Sequence, residues 1–226
     1  MYLKRISLYA IADGLGGYEG GDIASNTAIR VLTDNLSKFI RSAIWQKELS
    51  NQETILKALT SGIKAANNEV LSLGQTYRNN MATTLIAALL INDTAYIANV
   101  GDSRAYCLEG EQIRQITVDH SLVASLVSSG EINPEELYTH PQRNIVTRYL
   151  GSYIDMEVDL FIEGLKPSKS LILCSDGLWE MVRDVDIKKV VHQQTTAQDA
   201  CAQLVDLAKQ NGGIDNISVI IVKVTG

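Results

Sequence analysis

Ile11-Ala12-Asp13-Gly14-Leu15-Gly16-Gly17, followed at once by Tyr18-Glu19-Gly20-Gly21-Asp22, is the stretch on which the fold turns. The apolar run from Ile6 to Ala12 reads as a buried strand that delivers one carboxylate, Asp13, to its end. Glycines at 14, 16 and 17 then let main-chain atoms approach a ligand closely. From about Asp22 the apolar residues recur with helical period. A carboxylate and free carbonyls between strand and helix suit a hard cation, which takes oxygen ligands. One Asp-Gly pair is by itself only a turn signal. Here the pattern recurs: Asn99-Val100-Gly101-Asp102 follows the apolar run Ala95 to Ala98, Ser175-Asp176-Gly177 follows Leu171 to Cys174, and Gly213-Ile214-Asp215-Asn216 precedes Ile217 to Val224. Acids thus stand at the ends of four strand-like runs.

The rest of the composition narrows the function. At 226 residues the chain buries a core easily, and 46% hydrophobic with 20% charged residues is the balance of a globular protein. A net charge of -6 without a Lys/Arg cluster leaves no footprint for nucleic acid. No apolar run approaches the ~20 residues of a membrane helix. Met1-Tyr2-Leu3-Lys4-Arg5 has no signal-peptide character. Cys107, Cys174 and Cys201 are scattered, as are His120, His140 and His192, so neither a disulfide framework nor a zinc site is indicated. A reducing, cytoplasmic setting and a monomer are expected.

Outward from Asp13, the stripe Ala24, Ala28, Val31, Leu32, Leu36, Phe39 and Ile40 predicts a first long helix. Ser50-Asn51-Gln52-Glu53 reads as a capping box opening a second, and Gly74 as its stop. The period then changes. Met81 to Ile91, Thr94 to Val100, Ser103 to Leu108 and Gln112 to Thr117 predict a meander of strands joined by tight turns. Their unbroken apolar runs require cover on both faces, which helix pairs before and after would supply. Asp119 to Leu150 is different: a short helix over Ser121 to Ser128, ended by Gly130, then loop. Such a segment suits a cover over a site. A strand alternating through Met156, Val158, Leu160 and Ile162 follows, then one at Leu171 to Ser175. Helices near Asp184 to Gln193 and Ala197 to Gln210 and a last strand, Ile217 to Val224, complete one domain spanning 1–226.

Carboxylates crowded together repel, by ~4 kcal/mol for a pair at 4 Å and an effective dielectric of 20. Asp13, Asp102, Asp176 and Asp215 offer only oxygen, favouring Mg²⁺ or Mn²⁺ over Zn²⁺. Two such ions sharing Asp13 would clamp a phosphoryl oxygen and turn a bridging water into hydroxide, which is metal-assisted hydrolysis of a phosphate ester. Other phosphate chemistries fail on the sequence. Gly16 to Gly21 has the glycine spacing of a P-loop, but Asp22 follows instead of Lys. No cysteine has the arginine of a cysteine-dependent phosphatase, and kinase signatures are missing.

Ala12-Asp13-Gly14-Leu15-Gly16-Gly17, Gly101-Asp102-Ser103-Arg104, Ser175-Asp176-Gly177 and Asp215-Asn216-Ile217, with Met81-Ala82-Thr83-Thr84-Leu85, resemble in sequence and order the PPM/PP2C family of metal-dependent Ser/Thr protein phosphatases, in its bacterial branch. The resemblance covers essentially the whole chain. It implies an α+β fold, a four-layer αββα sandwich of two antiparallel sheets flanked by helix pairs. It implies two Mn²⁺ or Mg²⁺ ions, with a third in bacterial relatives. Asp13 would bridge two ions with the Gly14 carbonyl on one of them, Asp176 and Asp215 would hold the second, and Asp102 with Asp176 would line the third site. No phosphoenzyme is implied, and 119–150 would be the flap. The implied substrates are proteins phosphorylated on Ser or Thr, with a cognate Ser/Thr kinase as functional partner.

The sequence also departs from the family. Strands ahead of the Asp13 strand, carrying a phosphate-binding Arg and an Asn-Glu-Asp-like acid, have no counterpart in the twelve residues before Asp13. A truncated or mis-assigned start accounts for this, as does a short form lacking an edge strand; the former is expected. Leu15 stands where many eukaryotic members have a His. Arg104 reads as a structural partner, Trp179 as core, and His140 and His192 as solvated. Arg143 and Arg148 are the residues weighed as substitutes for the missing Arg. The rival reading is a weakly active or inactive phosphatase-like module that binds or regulates a phosphoprotein or kinase.

Overall fold

The computed structural model describes residues 6–15, 18–46, 49–152 and 155–224; Gly16 and Gly17 of the first motif lie outside them. In chain order the elements are β1 (Ile6–Ile11), β2 (Gly14–Leu15), α1 (Tyr18–Gln46), α2 (Gln52–Tyr77), β3 (Ala82–Thr83), β4 (Leu85–Ile91), β5 (Thr94–Val100), β6 (Arg104–Glu109), β7 (Gln112–Gln115), α3 (Leu122–Ser129), a 3₁₀ turn (Pro134–Tyr138), β8 (Asp159–Gly164), β9 (Lys169–Cys174), α4 (Asp176–Trp179), α5 (Asp184–Gln193), α6 (Ala197–Gln210) and β10 (Val219–Lys223). Long helices with antiparallel sheets make this an α+β fold, as the sequence predicts. The chain divides into two compact units, one of 1–101 with 148–163, the other of 102–147 with 164–226.

In the first unit the sheet order is β1-β4-β5-β8. β1 runs antiparallel to β4 with Ile6 opposite Ile91 and Ile11 opposite Ile86, and β4 pairs β5 with Leu85 opposite Val100. All seven residues of β4 are buried, as its unbroken apolar run demands. Leu32 and Leu36 of α1 join Ile55, Leu59 and Ile63 of α2 in the same core as Leu85, Ala87 and Leu89.

Three expectations are corrected here. The helix α2 is capped by Asn51, whose side chain accepts the Thr54 N–H, and not by Ser50. It also runs past Gly74 to Tyr77 and ends on Arg78 in the left-handed conformation (φ 51°). Gly74 is glycine for space: a Cβ there would lie 3.0 Å from the Asn79 carbonyl oxygen. In β8 the alternation is right but its face is reversed, because Leu160 and Ile162 are exposed on this edge strand while Met156, ahead of it, is buried.

In the second unit the order is β10-β9-β6-β7, all antiparallel, with Val219 opposite Cys174 and Arg104 opposite Cys174 on the other side. Tyr106, Ile172, Trp179, Ile187, Val191 and Leu204 build its core. The predicted bounds of α5 and α6 hold. The segment 119–150 contains α3, capped by Ser121 and ended by Gly130 at φ 77°, and the 3₁₀ turn. Its limbs are tied by Leu122 N–H to the Ile145 carbonyl (2.9 Å) and Thr147 N–H to the His120 carbonyl (2.8 Å). Val123 and Leu137 sink into the second core. Residues 148–150 belong to the first unit.

Candidate metal centre

Asp13 stands between β1 and β2, and its backbone is locked on both sides by one dipeptide. Its N–H donates to Thr84 Oγ1 (3.0 Å), and its carbonyl accepts from Thr84 N–H (2.8 Å) and Thr83 Oγ1 (2.9 Å). Gly14 and Leu15 pair with Thr83 and Ala82. A Cβ on Gly14 would lie 2.4 Å from the Gly21 carbonyl oxygen, so the first turn of α1 presses on this residue and only glycine fits. Asp13 is half-buried and belongs, with Gly14, to the first unit.

The other three acids belong to the second unit. Asp176 opens α4 at the end of β9 and accepts its neighbour's N–H, Gly177 to Oδ1, at 2.7 Å. Asp215 makes the same local turn with Asn216 N–H at 2.7 Å, just ahead of β10. The β9–β10 pairing brings the two turns together. Ser218 N–H donates to Ser175 Oγ (3.1 Å), Ser175 N–H donates to the Ser218 carbonyl (3.1 Å), and a Cβ on Gly177 would meet the Asn216 carbonyl oxygen at 2.2 Å.

Asp102 is buried. Burial, then the negative charges of Asp176, Asp119 and Glu180, push its carboxyl up to about 8. Glu180 is raised as well, first by burial and then by Asp176, with Arg143 opposing and Asp215 adding to the shift. Asp102, Asp176, Glu180 and Asp215 therefore form one field of negative charge in the second unit. Among the described residues no three His, Cys, Asp or Glu side chains are already gathered as a metal-ligating group. What fits a divalent ion is the crowding of acids and the all-oxygen donor set. Bound Mn²⁺ or Mg²⁺ would return these carboxyls to their ionised form.

The family model for protein phosphatase 2C matches residues 3–210. The chain belongs to the protein phosphatase 2C family. Among its phosphatase 2C relatives, "Serine/threonine phosphatase stp" of Listeria innocua is 37% identical over 217 residues, covering 94% of this chain and 82% of that protein. The structure of the S. agalactiae serine/threonine phosphatase aligns with TM-score 0.85 and 34% identity over 97% of this chain and 88% of its own. The catalytic domain of the serine/threonine protein phosphatase PstP, solved with two manganese ions, aligns with TM-score 0.82 and 27% identity over 100% of this chain and 94% of its own. The fold is thus that of a phosphatase 2C.

Several side chains of this phosphatase 2C behave as the sequence suggests. Arg104 is structural: Nε reaches both oxygens of Asp119 (3.0 Å each), Nη2 reaches Oδ2 (2.6 Å) and Nη1 donates to the Tyr106 hydroxyl (3.0 Å). Its carboxylate partner is Asp119. Trp179 is core. His192 hydrogen-bonds the Gly110 carbonyl (2.8 Å). Of the two arginines weighed for phosphate, Arg148 is held by Asp159 (2.6 Å), whereas Arg143 Nε lies 3.5 Å from Glu180 Oε2. Sequence reasoning missed Glu180 and the Thr83–Thr84 clamp. Glu180 stands one helical turn beyond Asp176, and two threonines interrupt an otherwise apolar strand; both were signals on the page.

Proposed function

We propose that Asp13, the Gly14 carbonyl, Asp176 and Asp215 hold the divalent ions of this enzyme, that Asp102 lines a further ion site with Asp176, and that 1–226 works as one catalytic domain with 119–150 as its flap. The chain is a metal-dependent protein serine/threonine phosphatase using Mn²⁺ or Mg²⁺. When bound, the ions supply Lewis-acid polarisation of a phosphoryl oxygen and activation of water. The residues of the chain do the rest. Asp13 is held rigid by Thr83 and Thr84, which fixes a half-buried carboxylate at the end of β1. The β9–β10 ladder brings together the turns that carry Asp176 and Asp215. Arg143 offsets part of the charge on Glu180 and is the guanidinium available to a phosphate beside these acids.

The observation that carries the reading is the convergence of the acid-bearing turns in the second unit: the β9–β10 pairing sets the Asp176 turn against the Asp215 turn, and the buried Asp102 carboxyl is raised first by burial and then by the charge of Asp176. The substrates are phosphoserine and phosphothreonine proteins, and a cognate Ser/Thr kinase is the proposed partner in signalling. The proposed location is the cytoplasm; no described helix is long and apolar enough to cross a membrane. Hydrolysis of a phosphothreonine peptide by the Mn²⁺-supplied protein is the test. Turnover that disappears with EDTA and in D176N supports the reading. Tight Mn²⁺ binding without turnover would favour the binding-module alternative instead.

A further inference from the structure

Asp102 is held from behind by a side chain to which the phosphatase reading gives no task. The indole Nε1–H of Trp179 donates to the Asp102 carbonyl at 3.0 Å. That indole is itself fixed on its face, where the Arg104 guanidinium stacks 3.6 Å from the ring centroid, and near its edge, where Tyr138 packs at 6.3 Å and 65°. Arg104 in turn is locked by its bonds to Asp119 and the Tyr106 hydroxyl. Arg104, Asp119, Asp102 and Trp179 are all buried. Burying an ion pair is a costly way to stabilise a core, since apolar residues of the same volume commonly do as well or better. What such a network can supply is direction. A buried Trp must place its N–H on an acceptor, and here the acceptor is the backbone of a candidate ion ligand.

We propose that Trp179, clamped by the Arg104–Asp119 pair, is a positioning residue for Asp102 and sets the affinity of the ion site to which Asp102 contributes. The inference rests on the assignment of Asp102 to an ion site made above. Without the indole N–H the Asp102 carbonyl loses a buried partner, and the turn that carries the Asp102 side chain is free to shift relative to Asp176. The phenyl ring of W179F keeps an apolar body and a face for Arg104; it removes that donor together with part of the ring volume, and the second loss has no preference for one ion site.

The experiment is calorimetric titration of the full chain with Mn²⁺, comparing wild type, W179F, D102N and the double variant. D102N removes one Mn²⁺ site. W179F weakens that same site about tenfold, the size of one lost hydrogen bond, and leaves the remaining sites within about twofold. The double variant binds like D102N alone. If D102N loses a site and W179F matches wild type, weakens every site equally, or adds its loss to that of D102N, the inference is overturned while the ion-site assignment stands. If D102N itself changes nothing, the assignment falls and the inference with it. A second readout covers a W179F protein that fails to fold. The chain has two tryptophans, and the other, Trp45, is 88% exposed, so W45F leaves Trp179 as sole fluorophore. Its emission changes on Mg²⁺ addition in step with the Asp102-dependent site and is unresponsive in D102N; an unresponsive Trp179 in the W45F protein overturns the proposal.

Discussion

Thr84 and Asp13 exchange two hydrogen bonds: Asp13 N–H to the Thr84 hydroxyl at 3.0 Å, and Thr84 N–H to the Asp13 carbonyl at 2.8 Å. The threonine is fully buried, so its hydroxyl is the partner on which the Asp13 amide relies. Replacing it with valine keeps the shape and strands the donor. T84V therefore costs about 1–3 kcal/mol of unfolding free energy, measured by urea titration. Turnover of a phosphothreonine peptide falls further than a surface substitution would cause, because the Asp13 backbone loses a restraint.

Gly177 and Gly110 give a paired test of close approach. A methyl group at 177 would lie 2.2 Å from the Asn216 carbonyl oxygen, between the turns carrying Asp176 and Asp215, whereas at 110 (φ 51°) it meets nothing within 4 Å. G110A costs only the left-handed backbone term, about 1–2 kcal/mol, and leaves Mn²⁺ affinity unchanged. G177A forces the two acid-bearing turns apart and weakens Mn²⁺ binding as well as stability. Equal Mn²⁺ isotherms for the two variants would contradict this.

Arg104 and Asp119 form a buried ion pair in the second unit. Removing the carboxylate alone leaves a buried guanidinium uncompensated, so D119A is destabilised by about 3–5 kcal/mol. Removing both charges together, as in R104M/D119L, restores much of that loss. Urea midpoints of the two variants decide the point.

In chelator-treated protein the raised Asp102 carboxyl makes stability depend on pH. The folded chain keeps its proton up to about pH 8, whereas an unfolded aspartate releases it near pH ~4. Between those values the unfolded state binds fewer protons, so this group's contribution to stability falls as pH rises; below pH ~4 the penalty is absent. Thermal melts in EDTA across pH 5 to 8, compared with D102N, should show a decline that is shallower in the variant. Parallel declines would remove Asp102 as the cause.

How much of this could be read from the sequence depends on the range of the interaction involved. Ser121 and Gly130 bracket α3 by local chemistry, and the ends of α5 and α6 follow from apolar period, so all three were legible. Local signals misled at Gly74, where the glycine makes room for the Asn79 carbonyl as the chain turns back after the helix, and the left-handed stop falls on Arg78 instead. Leu160 and Ile162 needed more than local pattern: alternation reveals a period of two, but which face is covered is decided by the neighbouring layers. At the candidate site the acids themselves stood out because each stands at one end of a strand-like run. Their supports did not. Thr84 acts across 71 residues on Asp13, and Trp179 across 77 on Asp102. Glu180 was passed over because its significance comes from the charges that fold around it, not from its own motif.

The central claim, that Asp13, Asp176 and Asp215 serve as ligands of divalent ions, is tested most directly by equilibrium dialysis against radiolabelled Mn²⁺, counting ions bound per chain in wild type, D13N, D176N and D215N. The account predicts at least two ions on the wild-type chain and a lower count for each variant under the same free Mn²⁺. Counts indistinguishable from wild type in all three would contradict it.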